Sequence, residues 1–210
     1  MKYKRLFQEA GNNLIICDIQ PDYSVSQSLL PKLIKKIKNF NNILWLYNGN
    51  ETVGTDDKES IINWINEYFD YNEQIINMLD SKNIEWFDKG YAFIRDVMDT
   101  GVMNDSQILQ TIRYMTKIGK TDIRDLEEKD LKKLGIDFSV DDYGFYIPVD
   151  LIDFLKKYKS GHIVGGGKDE CLKEVLYFTK AYKLGYKVDT NIIYWKVTNQ
   201  KILLIHKKLY

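Results

Sequence analysis

Cysteine and histidine are scarce in this chain of 210 residues: the thiols are Cys17 and Cys171, and the imidazoles are His162 and His206. Two cysteines, each beside a predicted strand end in apolar surroundings, do not make the disulfide framework of a secreted scaffold. His162 opens its predicted strand, toward the edge away from the glycines that follow, and His206 falls in a terminal β-run. No cysteine–histidine pair is therefore expected. Net charge is missing too. The 30 basic and 30 acidic residues cancel, which removes the electrostatic footprint of a nucleic-acid binder. The densest basic run, Lys32 to Lys38, has an apolar face at helical spacing and reads as an ordinary surface helix. No stretch reaches the roughly 18 apolar residues of a membrane-spanning helix, and MKYKRLFQEAGNN has no apolar signal-peptide core. The expectation is a soluble cytoplasmic protein with neither a membrane nor a nucleic-acid partner.

What is present is a globular composition, 44% hydrophobic and 29% charged, at a length that suits one domain over residues 1–210. Leu14 to Asp18 is a nearly continuous apolar run ending in a carboxylate, the pattern of a central parallel strand covered on both faces. Further strands are predicted at Ile43 to Tyr47 and Ile84 to Phe87, and helices at Ser26 to Phe40, after an N-cap at Asp56 or Asp57, at Glu73 to Leu79 and at Ser106 to Ile118. Thr121 to Gly135 reads as a short charged helix, and Val149 to Tyr158 as another. Two β-like runs, Asn191 to Val197 and Lys201 to His206, have the spacing of a hairpin.

The chain is organised around Gly161 to Val188. A short strand at His162 to Val164 runs into Gly165-Gly166-Gly167, and an amphipathic helix opening at Lys168-Asp169-Glu170-Cys171 leads to a strand at Tyr186 to Val188. This is a β–loop–α–β unit with a thiol near a helix N-terminus, a position that favours the thiolate. The fold class expected is three-layer α/β, a doubly wound and mostly parallel sheet with a helical insertion and a C-terminal β-hairpin. Asp18, Lys89 and Cys171 then follow three strand ends that converge on one edge. A carboxylate and an ammonium are the partners that a thiol nucleophile needs.

In these motifs the chain resembles the isochorismatase-like cysteine hydrolases, the family that includes nicotinamidases. The family's D-x-Q-x-D-F stands here as Asp18-Ile19-Gln20-Pro21-Asp22-Tyr23. Its lysine turn is Asp88-Lys89-Gly90-Tyr91-Ala92-Phe93, its nucleophile motif Gly165-Gly166-Gly167-Lys168-Asp169-Glu170-Cys171-Leu172, and its Gly-Tyr-x-Val is Gly185-Tyr186-Lys187-Val188. The resemblance implies Cys171 as nucleophile, Asp18 as general base and Lys89 as the charge holding both. It also implies a cis peptide between Gly166 and Gly167, with the N–H groups of Gly167 and Cys171 as an oxyanion hole. The implied activity is hydrolysis of a small amide or related C–N bond through a thioester-type intermediate, on a small-molecule substrate. Gln20, Tyr23, Tyr47, Tyr91 and Phe93 follow strand exits and are the candidate pocket walls. The Asp-x-His and second His of the nicotinamidase metal site are absent from Tyr47 to Thr52, so no metal and no cofactor are expected. The span from Lys89 to Cys171 exceeds the family's. The surplus, about 117–146, reads as an insertion that either caps the pocket or forms a homo-oligomer contact. Two other readings stand beside this one: a catalytically silent relative that binds a ligand or partner, and a nucleotide-binding domain, which the sequence GGGKDE and its acidic pair disfavour.

Overall fold

Apolar runs closed by polar turns build the sheet, and the amphipathic stretches between them build two covering layers. The computed structural model describes residues 12–49, 57–90 and 92–194. In chain order come β1 (Asn13–Cys17), a 3-10 segment (Ser24–Leu29), α1 (Leu30–Ile37), β2 (Asn42–Tyr47), α2 (Lys58–Tyr68), α3 (Glu73–Asp80) and β3 (Asn83–Asp88). Then follow α4 (Arg95–Thr100), α5 (Asp105–Ile118), α6 (Glu128–Leu134), α7 (Val149–Lys157), β4 (Ser160–Gly165), α8 (Cys171–Ala181) and β5 (Gly185–Ile193). The described strands form one sheet in the order β3-β2-β1-β4-β5, and every neighbouring pair is parallel.

β1 lies at the centre and is buried along its whole length. Leu14 and Ile16 pack with Leu30 and Leu33 of α1 and with Ile61 and Ile65 of α2. Ile15 and Cys17 pack on the other face with Ile112 of α5, Leu151 of α7 and Phe178 of α8. That alternation is what a strand sandwiched between two helical layers requires. Each fully buried Leu or Ile contributes roughly 1.5–3 kcal/mol relative to exposure. From β1 the chain winds outward through β2 to β3, then crosses by α4–α7 to β4 on the other side of β1. The order reverses between β1 and β4, so the crevice outside their carboxyl ends is the switch point where such sheets hold ligands.

Several elements depart from the sequence expectation. The helix expected over Ser26 to Phe40 is split into a 3-10 segment and α1, with Pro31 in the first turn of α1, where its missing N–H costs nothing. Asp57 does cap α2, exchanging hydrogen bonds with Ser60. α5 begins at Asp105, one residue before the expected Ser106, and is capped by Asn104, which exchanges hydrogen bonds with Gln107. The helix expected over Thr121 to Gly135 is a 3-10 turn at Ile123–Asp125 followed by α6, which stops at left-handed Gly135. α4 is an element that the sequence pattern does not announce. Asn191 to Ile193 continue β5 and do not open a separate strand; the rest of the expected hairpin lies outside the described residues.

β4 approaches β1 closely where the glycines begin. Gly165 has φ of +104°, and a Cβ placed on it would lie 2.0 Å from the Cys17 carbonyl oxygen. Gly119, by contrast, ends α5 at φ +71° with nothing within 4 Å of such a Cβ. Gly165→Ala is therefore expected to lower stability by on the order of 3 kcal/mol, since backbone must move as well as strain. Gly119→Ala should cost only about 1 kcal/mol. Urea unfolding of the two variants checks this; equal midpoints would show that β1 and β4 separate freely at this point.

Candidate active site

Asp18 is the first residue beyond β1, and its backbone is left-handed, with φ of +52°. Asp tolerates that region better than most non-glycine residues. Both backbone groups are held there: its N–H donates to the Leu46 carbonyl at 2.9 Å, and its carbonyl accepts from the Tyr194 hydroxyl at 2.7 Å. The reversal breaks the side-chain alternation of the strand. Cys17 is fully buried core, and its thiol donates toward the Asp18 carboxylate at 3.6 Å.

Lys89 extends β3 by one residue, its N–H donating to the Tyr47 carbonyl at 2.9 Å. The turn beside it is tied by Asp88, whose carboxylate accepts from the N–H groups of Gly49 and Gly90. From there the Lys89 ammonium runs inward, with 1% of its side chain exposed, to lie 3.1 Å from an Asp18 carboxylate oxygen. It also donates to the Cys171 sulfur at 3.2 Å. Cys171 is the first residue of α8 and is buried. Two of the three residues expected at strand ends, Asp18 and Cys171, are thus brought onto the ammonium of the third.

Two further charged residues, absent from the sequence-based candidates, belong to the same cluster. Arg95, the first residue of α4, donates from Nη2 to the Cys171 sulfur at 2.9 Å. Glu174, one turn after Cys171 on α8, is fully buried. Its carboxylate accepts from the N–H groups of Phe93 and Ile94 at 2.8 and 2.7 Å and lies 3.8 Å from Arg95. Glu174 thereby fixes the backbone that carries Arg95. A signal for Glu174 was available: Cys171, Glu174, Val175 and Phe178 share one face of an amphipathic helix, and a carboxylate on an apolar face needs a partner.

The electrostatics correct one expectation. A helix start favours a thiolate, but burial pushes the Cys171 thiol well up, and Asp18 pushes further; Lys89 opposes, Glu174 adds to the rise, and Arg95 opposes. Burial alone would lower the Lys89 pKa, but Asp18 and then Cys171 outweigh it, and the ammonium is held above the usual lysine range. Burial also raises Glu174, against Lys89, Arg95 and the two backbone donors. The resting sulfur is a thiol flanked by two cations, ready to be stabilised as it loses its proton.

The glycine turn is built differently from expectation. No cis peptide occurs among the described residues. The Gly166 N–H is taken by the Cys17 carbonyl at 2.7 Å, and the space a Gly166 Cβ would need is filled by the Tyr194 ring. Lys168 N–H in turn donates to the Tyr194 carbonyl, so the end of β5 closes over the turn. Of the pocket candidates, Gln20 is buried and spans β1 and β2, exchanging hydrogen bonds with the Asn48 backbone. Tyr23 accepts from the Asn48 side chain, and its phenol is raised by burial and by Asp18. Tyr47 packs edge-on to Trp86 on the sheet face that α1 and α2 cover. Phe93 is core between Phe87 and Phe178, and its contribution here is its backbone N–H. Tyr91 lies outside the described residues. Among the described residues no group of His, Cys, Asp and Glu is arranged to hold a metal ion, and no helix is long and apolar enough to cross a membrane.

The pKa pattern has a testable sign. Alkylation by iodoacetamide follows the thiolate fraction, so the rate at Cys171 should still be rising at pH 9–10, where an ordinary thiol levels off. Asp18→Asn removes a charge that raises the thiol pKa and should speed alkylation at pH 8. Arg95→Met removes one that lowers it and should slow alkylation. Moving the thiol pKa by one pH unit changes the thiolate fraction, and with it the rate, about tenfold. Peptide mass spectrometry at Cys171 reads the rates; the opposite signs would refute this arrangement of charges.

Compared with protein families, curated proteins and solved structures, the chain matches none, and what it shares with known architectures is the doubly wound parallel α/β fold itself.

Proposed function

We propose that this protein is a cysteine hydrolase of small amides or related C–N bonds, of the isochorismatase-like type. The observation that supports it most is the single buried ammonium of Lys89, 3.1 Å from Asp18 and 3.2 Å from Cys171 at the sheet's switch point. In the first step the Cys171 thiol passes its proton to Asp18, and the sulfur attacks the acyl carbon. Lys89 stays charged throughout and holds the two reacting groups together. Negative charge on the acyl oxygen is met by the Arg95 guanidinium, which already reaches the Cys171 sulfur. Collapse of the adduct breaks the C–N bond, and Asp18 returns the proton to the leaving amine. A water then gives its proton to Asp18 and attacks the thioester, releasing the acid and restoring the thiol. The sum is amide plus water to carboxylic acid plus amine.

General acid–base assistance of this kind contributes about 100-fold to 10,000-fold. Asp18→Asn should therefore lower turnover by at least about 100-fold even though it speeds alkylation. One observation favours a second reading, a binding protein on the same fold: Tyr194 packs on the glycine turn where the family resemblance places an oxyanion hole. A panel of small amides, followed by amine release and by intact mass after acid quench, separates the two. A hydrolase shows amine release and an acyl adduct that both vanish in Cys171→Ala. Amine release that survives in Cys171→Ala would refute the proposal.

A further inference from the structure

Two buried polar atoms close to Cys171 complement each other and are not joined. Among the described residues, the Arg95 Nε is a donor without an acceptor and Glu174 Oε2 an acceptor without a donor. They belong to one ion pair, and that pair is open. Arg95 Nη2 stands 3.8 Å from Glu174 Oε2, within range of Coulomb attraction but beyond a hydrogen bond. Its Nη1 is farther still from Glu170, at 4.0 Å. What Nη2 does touch is the Cys171 sulfur, at 2.9 Å.

This choice of partner runs against the preference of the groups themselves. A guanidinium bonds a carboxylate through charge-assisted N–H groups, whereas a thiol sulfur is a weak acceptor. Glu174 is not free to turn toward Arg95, because Oε1 is held by the Phe93 and Ile94 N–H groups at 2.8 and 2.7 Å. Its side chain is 0% exposed, so bulk water does not satisfy Oε2 either. An unpaired buried oxygen of this kind costs free energy and calls for an explanation. Movement of the guanidinium by about the difference between the two contacts would pair both atoms. The sulfur is what holds it back, and the sulfur loses that hold when its lone pair is committed to carbon.

We infer that Arg95 has two seats, the Cys171 sulfur at rest and Glu174 Oε2 once the sulfur carries an acyl group, and that Glu174 is the positioning residue for the second. There Nε takes Oε2, and Nη2, released from the sulfur, is left for the acyl oxygen. The use of the second seat in a reaction rests on the reading of Cys171 as nucleophile, whereas the existence of the seat does not.

The carbon-13 resonance of the Glu174 carboxyl, assigned with Glu174→Gln, reports the seat. Burial holds the native Glu174 pKa above the usual carboxylate range. Where a carboxyl titrates, Cys171 is an uncharged thiol, so Cys171→Ala deletes no charge. It should nevertheless move the Glu174 titration down by about one pH unit as the guanidinium closes on Oε2. The same change made in Arg95→Met should produce no such fall. An unmoved titration in Cys171→Ala, or an equal fall with and without Arg95, would overturn the second seat. Native protein alkylated at Cys171 by iodoacetamide should shift as Cys171→Ala does. If the reagent leaves Cys171 unmodified, the nucleophile reading falls, and Cys171→Ala still decides the seat. In turnover, Glu174→Gln keeps an oxygen for the two N–H groups and loses the charge. It should lower kcat by at least about tenfold with KM little changed, and add nothing in Arg95→Met. Effects that multiply in full would show that Glu174 does not act through Arg95.

Discussion

One buried ammonium sets the rest of the site. Lys89 follows β3 and meets Asp18, just beyond β1, and Cys171, the first residue of α8. Without it the fully buried Asp18 carboxylate would lose the cation beside it, and the sulfur would keep only Arg95. Breaking a buried pair by removing one partner costs on the order of 3–5 kcal/mol, so the cluster constrains the fold as much as it prepares chemistry. The sheet order makes the meeting possible. β1 and β4 lie side by side at the switch point, and the turn after each opens on the same crevice.

A second ion pair, Arg95 with Glu174, completes the arrangement from the opposite direction. Glu174 joins α8 to the turn before α4 through two backbone N–H groups. It therefore sets where Arg95 begins its helix and where its guanidinium reaches the sulfur. Two acids and two bases surround one thiol, and their opposing effects leave it protonated at rest but stabilised on both sides once ionised. That balance suits a nucleophile that is deprotonated during reaction rather than before it.

The sheet and the Asp18, Lys89 and Cys171 positions were legible because each follows an apolar run that can only be a strand. Glu174 was legible in principle, as a carboxylate on the buried face of α8. Arg95 was not: Asp88 to Phe93 reads as a strand exit, and the helix that follows is short and owes its start to Glu174, a residue far along the chain. Tyr194 reads as part of a hairpin because the Asn191 to Val197 run is apolar and β-branched, whereas its first part extends β5 and turns the ring onto Gly166. The cis peptide came from resemblance alone. In this chain Gly166 is tied to Cys17, and the glycines serve close approach of β4 to β1 and room for a tyrosine ring. The direction in which the Cys171 pKa moves also depends on burial, which helix position does not reveal.

The most direct test of the shared ammonium is the titration of Lys89 itself, by NMR of side-chain carbon in protein labelled at lysine and compared with Lys89→Met for assignment. The Lys89 resonance should stay that of an ammonium above the ordinary lysine value of about 10.4, and Asp18→Asn should move its titration to distinctly lower pH. A Lys89 that titrates like a surface lysine in both proteins would contradict the central claim.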